Sequence, residues 1–421
     1  MEKISAVILA AGEGTRMNSN LPKILHKMGS KPMLGHVIDN VQVAGIENIY
    51  IITGYKSEMV KKYVGGKAKC VEQKDLLGTG DAVWQINNEE IFKNNDERLL
   101  IIYGDMPLIT CSTIKNLLQK HYEDFAVGTL LTVRTNNPVG YGRIVRNDIG
   151  NLVKIVEEND ANVYERAIDE INVGVYIFKA AQLFDALKKV KPDNKKNEYY
   201  LTDVVSVMNK SKLTINTVET LDQDEILGVN SRESLALAYE IFRNRIIKKI
   251  IASGVTVLDS KTTFIDEDVK IGKDTVIYPF TIIEKGVEIG ENCSLGPFCR
   301  VRSGSKLGAD VTLGNFVEFN RSTIGNFSKI KHQSYIGDTD IEENVNIGAG
   351  TIVANYDGKN KNKTLIKSKA FIGTGTILVA PVKIGKSAMT GAGAVVTSNK
   401  DVPDNTIVVG VPAHELKKNK K

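Results

Sequence analysis

The sequence predicts an α/β chain in two parts: a mostly parallel sheet covered by helices, then a left-handed parallel β-helix of hexapeptide repeats. Three observations predict it. The apolar run Ala6 to Ala11 has no period and ends in Gly12-Glu13-Gly14, the pattern of a strand buried on both faces that turns at a glycine loop. Up to about residue 230, short apolar runs alternate with helical patterns, as a sheet covered by helices requires. Beyond Ile265, apolar residues recur every six positions, a step that neither a helix nor an amphipathic strand has.

Expected strands of the first part are Ala6 to Ala11, Asn48 to Thr53, Leu99 to Tyr103 and Ala126 to Val133. Ligands on such sheets gather beyond the carboxyl ends of the strands. Gly12-Glu13-Gly14 follows the first run and Gly104-Asp105 the third, so the chemistry is expected there. Residues 231–253 carry Leu235, Tyr239, Phe242, Ile246 and Ile250 at helical spacing and read as a connecting helix between domains at 1–230 and 254–421. The ladder then runs Ile265, Ile271, Ile277, Ile283, Ile289, Leu295, Val301, Leu307, Leu313, Phe319. After one-residue slips it resumes at Ile324, Ile330 and Ile336, then at Ile341 and Ile347, and again at Ile366, Ile372, Leu378 and Ile384. The break from Asn355 to Thr364 is expected to be a loop thrown out from the coils. Cys293 and Cys299 stand one hexad apart and are expected to be buried thiols stacked on successive turns.

Composition bounds the function classes. The chain has 421 residues, 25% charged and 42% hydrophobic, ordinary for a globular protein with a sizeable core. A net charge of +5, partly carried by Lys417, Lys418, Lys420 and Lys421, favours small anionic substrates over nucleic acid. The four cysteines form no C-x-x-C pair and have no histidine at zinc spacing, which argues against a metal cluster or disulfide framework. The opening apolar stretch is too short for a signal peptide and no later run approaches a membrane span, so a cytoplasmic location without membrane insertion is expected.

Val7 to Met17, continued by Leu21-Pro22-Lys23, has the chemistry of a triphosphate site. Glycines let backbone N–H groups turn inward, and Thr15, Arg16 and Lys23 supply polar and cationic groups, Arg as a fork and Lys as a point charge. Two rivals fail: a dinucleotide fingerprint needs a small residue where Met17 stands, and an ATPase loop needs a closing Gly-Lys-Ser/Thr. Gln73 and Leu77-Gly78-Thr79-Gly80 make a second glycine turn with groups fit to read a base edge. Asp105, at a strand end, is a natural Mg²⁺ ligand, since that ion takes few protein oxygens and leaves the rest to phosphates and water.

The motifs Leu9-Ala10-Ala11-Gly12-x-Gly14-Thr15-Arg16-Met17, Leu21-Pro22-Lys23, Leu77-Gly78-Thr79-Gly80, Tyr103-Gly104-Asp105, Gly140-Tyr141-Gly142-Arg143 and Gly228-Val229-Asn230 resemble those of the sugar-phosphate nucleotidylyltransferases. The resemblance is strongest to the bacterial bifunctional N-acetylglucosamine-1-phosphate uridylyltransferase/glucosamine-1-phosphate acetyltransferases, and it implies a Rossmann-like nucleotidyltransferase domain. It further implies that Arg16 and Lys23 bind and stabilise phosphates, while Asp105 and Asn230 hold Mg²⁺. Leu9, Ala10, Ala11, Gly12, Tyr103 and Gly104 would line the UTP site; Gln73, Gly78 and Thr79 would hold the uracil, and Gly142, Glu157 and Asn172 the amino sugar.

The ladder resembles the acetyltransferase half through Gly314-Asn315-Phe316-Val317-Glu318, Lys331-His332-x-x-Tyr335, Asn344 to Gly350 and Asn355-Tyr356-Asp357-Gly358. It implies His332 as the base that deprotonates the amine, oriented by Glu318. Arg302 and Tyr335 would bind the sugar phosphate, Asn346 and Tyr356 the amino sugar, and Ala349, Asn355, Thr374 and Ala392 the acetyl-CoA side, within a homotrimer. Asn320 followed by Arg321 replaces a lysine usual in the family; losing one charge-assisted phosphate contact costs about 1.5–3 kcal/mol, for which Arg321 is placed to compensate. The ladder and tail are shorter than usual, and Gly410 or its neighbour replaces a basic residue. The competing expectation is uridylyl transfer alone, with the β-helix a non-catalytic trimerisation scaffold.

Overall fold

The computed structural model describes residues 3–87 and 97–416; the lysines at 417, 418, 420 and 421 lie outside the described residues. The chain forms two compact units, Met1–Glu240 and Ile241–Lys421, and the division falls inside the helix Arg232–Ala252.

The first unit is built on a sheet whose order is Ile215–Glu219, Gly128–Arg134, Glu170–Lys179, Arg98–Tyr103, Ile4–Ala10, Asn48–Thr53 and Lys69–Glu72. The strand Ile4–Ala10 pairs in parallel with Asn48–Thr53 on one side and Arg98–Tyr103 on the other. Its alternate residues serve different cores: Val7 and Leu9 pack into one apolar cluster, while Ala6, Ile8 and Ala10 pack into a second. Two buried faces explain why that run shows no period.

One strand of the central path departs from the parallel majority. Glu170–Lys179 is antiparallel to both neighbours, with a shift of register between Asn172 and Tyr176. The chain reaches it from the hairpin Arg143–Arg146 and Leu152–Val156, which delivers it to the sheet from the opposite end. Polar Asn172 and Gly174 interrupt its apolar residues, so from sequence it resembled a site motif rather than a strand.

In the second unit, pairings advance by 18 residues: Val276 opposes Ser294 and Ser294 opposes Thr312, while on another face Lys270 opposes Glu288 and Glu288 opposes Lys306. Three six-residue turns thus close one coil. Ile277, Ile283, Leu295, Val301, Leu313, Phe319, Ile330, Ile336, Ile372, Leu378 and Ile384 point inward and are almost fully buried. Val353, Val396, Val402 and Val408 extend the same core and were not among the expected ladder residues. At the slips, Lys306 opposes Thr323 and Thr323 opposes Asp340, a step of 17 that shortens one corner. Thr339 then opposes Thr364, the longer step absorbing the loop at Asn355 to Lys363.

Two sequence expectations need correction. Cys293 and Cys299 are buried, but residues six apart lie on adjacent faces of one coil; stacked partners are about 18 apart, so these thiols do not stack on each other. In the helix Arg232–Ala252, Ile250 of the expected stripe is buried but Leu235, Tyr239, Phe242 and Ile246 are half-buried, whereas Ala238, Arg243 and Ile247, outside the stripe, are buried.

Candidate functional sites

In the first unit, a cavity of about 280 Å³ opens at the carboxyl ends of the central strands, lined by Leu9 to Gly12, Lys23, Gln73, Gly78, Thr79, Tyr103, Asp105 and Glu198. Its floor is Lys23. That side chain enters because Gly14 takes a left-handed φ of +68 and has no side chain; a Cβ there would lie 2.6 Å from Lys23 Cβ. The Lys23 ammonium donates to Asp105 Oδ2 and to Asn230 Oδ1 at 2.9 Å, with the Lys23 and Asp105 side chains only 14% and 16% exposed. Asn230, far off in sequence, is brought there by the Val229 N–H donating to Asp105 O at 2.9 Å.

Asp105 and Asn230 therefore converge on one cation, supplied in this structure by Lys23. A carboxylate and an amide oxygen pointed at a single positive charge are the donor set a hard divalent ion takes, so the two residues fit Mg²⁺. Arg16 is exposed and is not part of the cavity lining.

The second glycine turn is held by the segment Glu198 to Leu201. Gly80 N–H donates to Tyr199 O at 2.7 Å, Tyr199 N–H to Leu77 O at 2.8 Å and Leu201 N–H to Thr79 Oγ1 at 3.0 Å. Gly78 is required: its φ is +116 and an added Cβ would lie 2.6 Å from Tyr199 O. Tyr103 bonds both Thr79 and Tyr176, and burial pushes its phenol pKa up. Tyr176 in turn accepts from Asn172 Nδ2 at 2.6 Å. Gly142, Glu157 and Asn172 meet farther along the same face, where a Cβ on Gly142 would lie 3.6 Å from both Glu157 Oε1 and Asn172 Cβ. Burial raises the Glu157 pKa although Thr202 donates to its Oε1 at 3.0 Å. Thr202 and Tyr176 were not expected, and nothing in sequence points Tyr176 at Asn172.

In the second unit, His332 Nδ1 lies 3.1 Å from Asn315 Oδ1, its partner in register one coil away. Glu318 does not reach His332 as expected. Its Oε1 accepts from Arg302 Nη1 at 2.8 Å, and its neighbour in register is Tyr335. The reason is the strand: Asn315 and Glu318 lie three residues apart, and only Asn315 stands level with His332.

Arg321, expected to compensate for Asn320, is held by protein partners. Its Nε and Nη2 make two 2.7 Å bonds to Asp338, and Nη1 donates to buried Asn320 at 3.0 Å, so the fork is already occupied. Asp338 also accepts from Asn355 Nδ2, and Tyr335 OH and Asn355 Nδ2 both lie against Gly337. Asp338 is the hub that sequence reasoning missed. Tyr356 is exposed on the loop that follows, its hydroxyl donating to Gly358 O at 2.7 Å. Asn346 stands level with Lys329 below and Phe371 above. Ala349, Thr374 and Ala392 fall at equivalent places on successive coils: Gly375 N–H donates to Ala349 O, and Gly393 N–H to Thr374 O, both at 2.7 Å.

Comparison with known proteins agrees with this division. A family model described as nucleotidyl transferase matches residues 5–222, and one described as bacterial transferase hexapeptide (six repeats) matches 268–303 and 286–321. Bifunctional protein GlmU from Syntrophomonas wolfei is 41% identical over 97% of this chain and 97% of its own length. The GlmU proteins of Geobacillus sp. strain WCH70 and Thermosipho africanus are 42% and 44% identical over 97% of this chain and 95% and 94% of their own. With identity sustained through both units, the chain belongs to the bifunctional GlmU family.

Proposed function

We propose that the chain makes UDP-N-acetylglucosamine in two steps, acetyl transfer from acetyl-CoA to glucosamine-1-phosphate on the β-helix, then uridylyl transfer from UTP in the first unit. The observation that carries the second step is the convergence of Asp105 and Asn230 on Lys23, with Lys23 and Asp105 lining a cavity that Gln73, Gly78 and Thr79 also line. A sugar phosphate is already anionic, so its attack on the α-phosphorus needs placement and cations rather than a general base. Lys23 supplies a fixed cation, and Arg16, exposed beside the loop, is free to close on the departing pyrophosphate. Asp105 and Asn230 would hold Mg²⁺, which offsets charge on the phosphates when bound. Gly142, Glu157 and Asn172 would seat the amino sugar.

For acetyl transfer, His332 takes the ammonium proton, the freed amine adds to the thioester carbonyl, and the C–S bond breaks as the departing CoA thiolate takes that proton from His332. Asn315 orients the ring, while Arg302 and Tyr335 receive the sugar phosphate. Asn346 and Tyr356 face the amino sugar; Ala349, Asn355, Thr374 and Ala392 flank the coenzyme. The prism assembles as a homotrimer, and the protruding loop with Tyr356 completes a neighbour's site. Its substrates place the protein in the cytoplasm.

The decisive experiment incubates the protein with glucosamine-1-phosphate and acetyl-CoA, without UTP or Mg²⁺, and follows free CoA thiol. Thiol release that disappears in His332→Ala supports the two-step reading. Absence of release, alongside pyrophosphate formation from UTP and N-acetylglucosamine-1-phosphate, leaves a single-activity enzyme on a structural prism.

A further inference from the structure

We infer that Asp81 sets the base specificity of the nucleotide site by fixing which end of the Gln73 amide faces the substrate. The inference rests on the uridylyltransferase reading above and adds to it a residue outside the expected site.

Gln73 is almost fully buried and lines the cavity. Its Nε2 donates to Gly78 O at 3.0 Å and to Asp81 Oδ2 at 2.7 Å. Both partners are acceptors without a proton to give, so only the nitrogen end of the amide can face them, and both of its protons are spent. Oε1 is left as the group offered to the cavity, with no protein partner among the described residues. Asp81 is itself steadied by Gln85 Nε2, which donates to its Oδ1 at 3.2 Å. The carboxylate also borders a second cavity of about 380 Å³, lined in addition by Trp84, Leu187 and Tyr199, which keeps water within reach of the charge.

A side chain that can only accept selects a base whose facing ring nitrogen carries a proton. Uracil and thymine have N3–H; cytosine presents a lone pair there, which would oppose Oε1. Were the Asp81 acceptor absent, Gln73 would keep only the bond to Gly78 O. Rotating the amide to present Nε2 to the cavity would then cost one hydrogen bond, to Gly78 O, instead of two, and the rotated amide would accept cytosine. Buried polar groups that must pair are the strongest discriminators a site has.

The test measures kcat/KM for UTP and CTP with N-acetylglucosamine-1-phosphate in wild type, Asp81→Ala and Asp81→Asn, with CoA release as a check that each variant folds. Expected is a fall of roughly tenfold or more in the UTP/CTP ratio for Asp81→Ala. Asp81→Asn can turn either its oxygen or its NH2 to Gln73 and so releases the amide in part; its ratio is expected between those of wild type and Asp81→Ala. Equal losses with both nucleotides, leaving the ratio unmoved, would reduce Asp81 to a structural residue and overturn the inference. If the wild type forms no pyrophosphate from UTP, the uridylyltransferase reading itself fails, an outcome distinct from an unmoved ratio.

Discussion

Replacing Lys23 by Met removes the charge and keeps the length of the side chain, so it isolates what the ammonium does at the cavity floor. In the protein without substrate, Lys23 gives one hydrogen bond to a carboxylate and one to an amide in a setting that is about 85% shielded from water. A hydrogen bond to a charged group is worth about 1.5–3 kcal/mol, and low exposure leaves little screening to discount it. The same ammonium is the fixed cation nearest the phosphates in the proposed reaction. Losing one charge-assisted contact that matters in the transition state lowers kcat/KM about ten- to a hundredfold. Pyrophosphate release from UTP and N-acetylglucosamine-1-phosphate, assayed at saturating Mg²⁺, is therefore expected to fall by that factor in Lys23→Met. CoA release in the acetyl assay should stay within twofold of wild type. A kcat/KM for UTP within twofold of wild type would refute the role of Lys23, and an equal fall in both assays would show that the change had damaged the fold instead.

Two further outcomes follow from the second unit. Hydrogen bonds from Arg321 outweigh desolvation at Asp338 and hold its pKa below the ordinary aspartate value, so its contribution to stability is full above about pH 4 and is lost as pH falls through the depressed value. Urea midpoints measured downward from neutral pH should fall through that window in wild type, while Asp338→Asn starts lower and is flatter; parallel curves would remove Asp338 from the balance. At Gly314, an added Cβ would overlap Lys331 O on the next coil, where backbone on both sides cannot give way. Gly314→Ala should cost at least the 1–3 kcal/mol typical of overpacking, read as a lower urea midpoint and weaker acetyl transfer, and an unchanged midpoint would contradict the coil spacing.

What could be read from sequence was whatever repeats or is local. The six-residue ladder, the glycine loop and strand ends at Ala11 and Tyr103 follow from period and turn chemistry alone, and the structure ends those two strands at Ala10 and Tyr103. Contacts set by pairing register could not be read. Glu318 and Asn315 are both plausible partners for His332 on paper, and only the alignment of neighbouring coils decides for Asn315. Arg321 likewise looked available until the next coil placed Asp338 against its fork. Strand Glu170–Lys179 escaped because Asn172 and Gly174 break the apolar run by which buried strands are found.

The loop at Asn355 to Lys363 shows how this architecture accommodates change. Extra residues leave the prism at a corner, and the pairing of Thr339 with Thr364 resumes as if none had been added, because each coil answers only to the coils beside it. Length can therefore be gained or lost in two very different ways. Removing a whole coil preserves the direction in which every later side chain points. Removing a single six-residue turn would rotate everything downstream onto the next face, carrying Ala349, Thr374 and Ala392 away from His332 while leaving the apolar interior intact. Deletions of the two kinds would look alike in a hydrophobicity plot and have opposite consequences for chemistry.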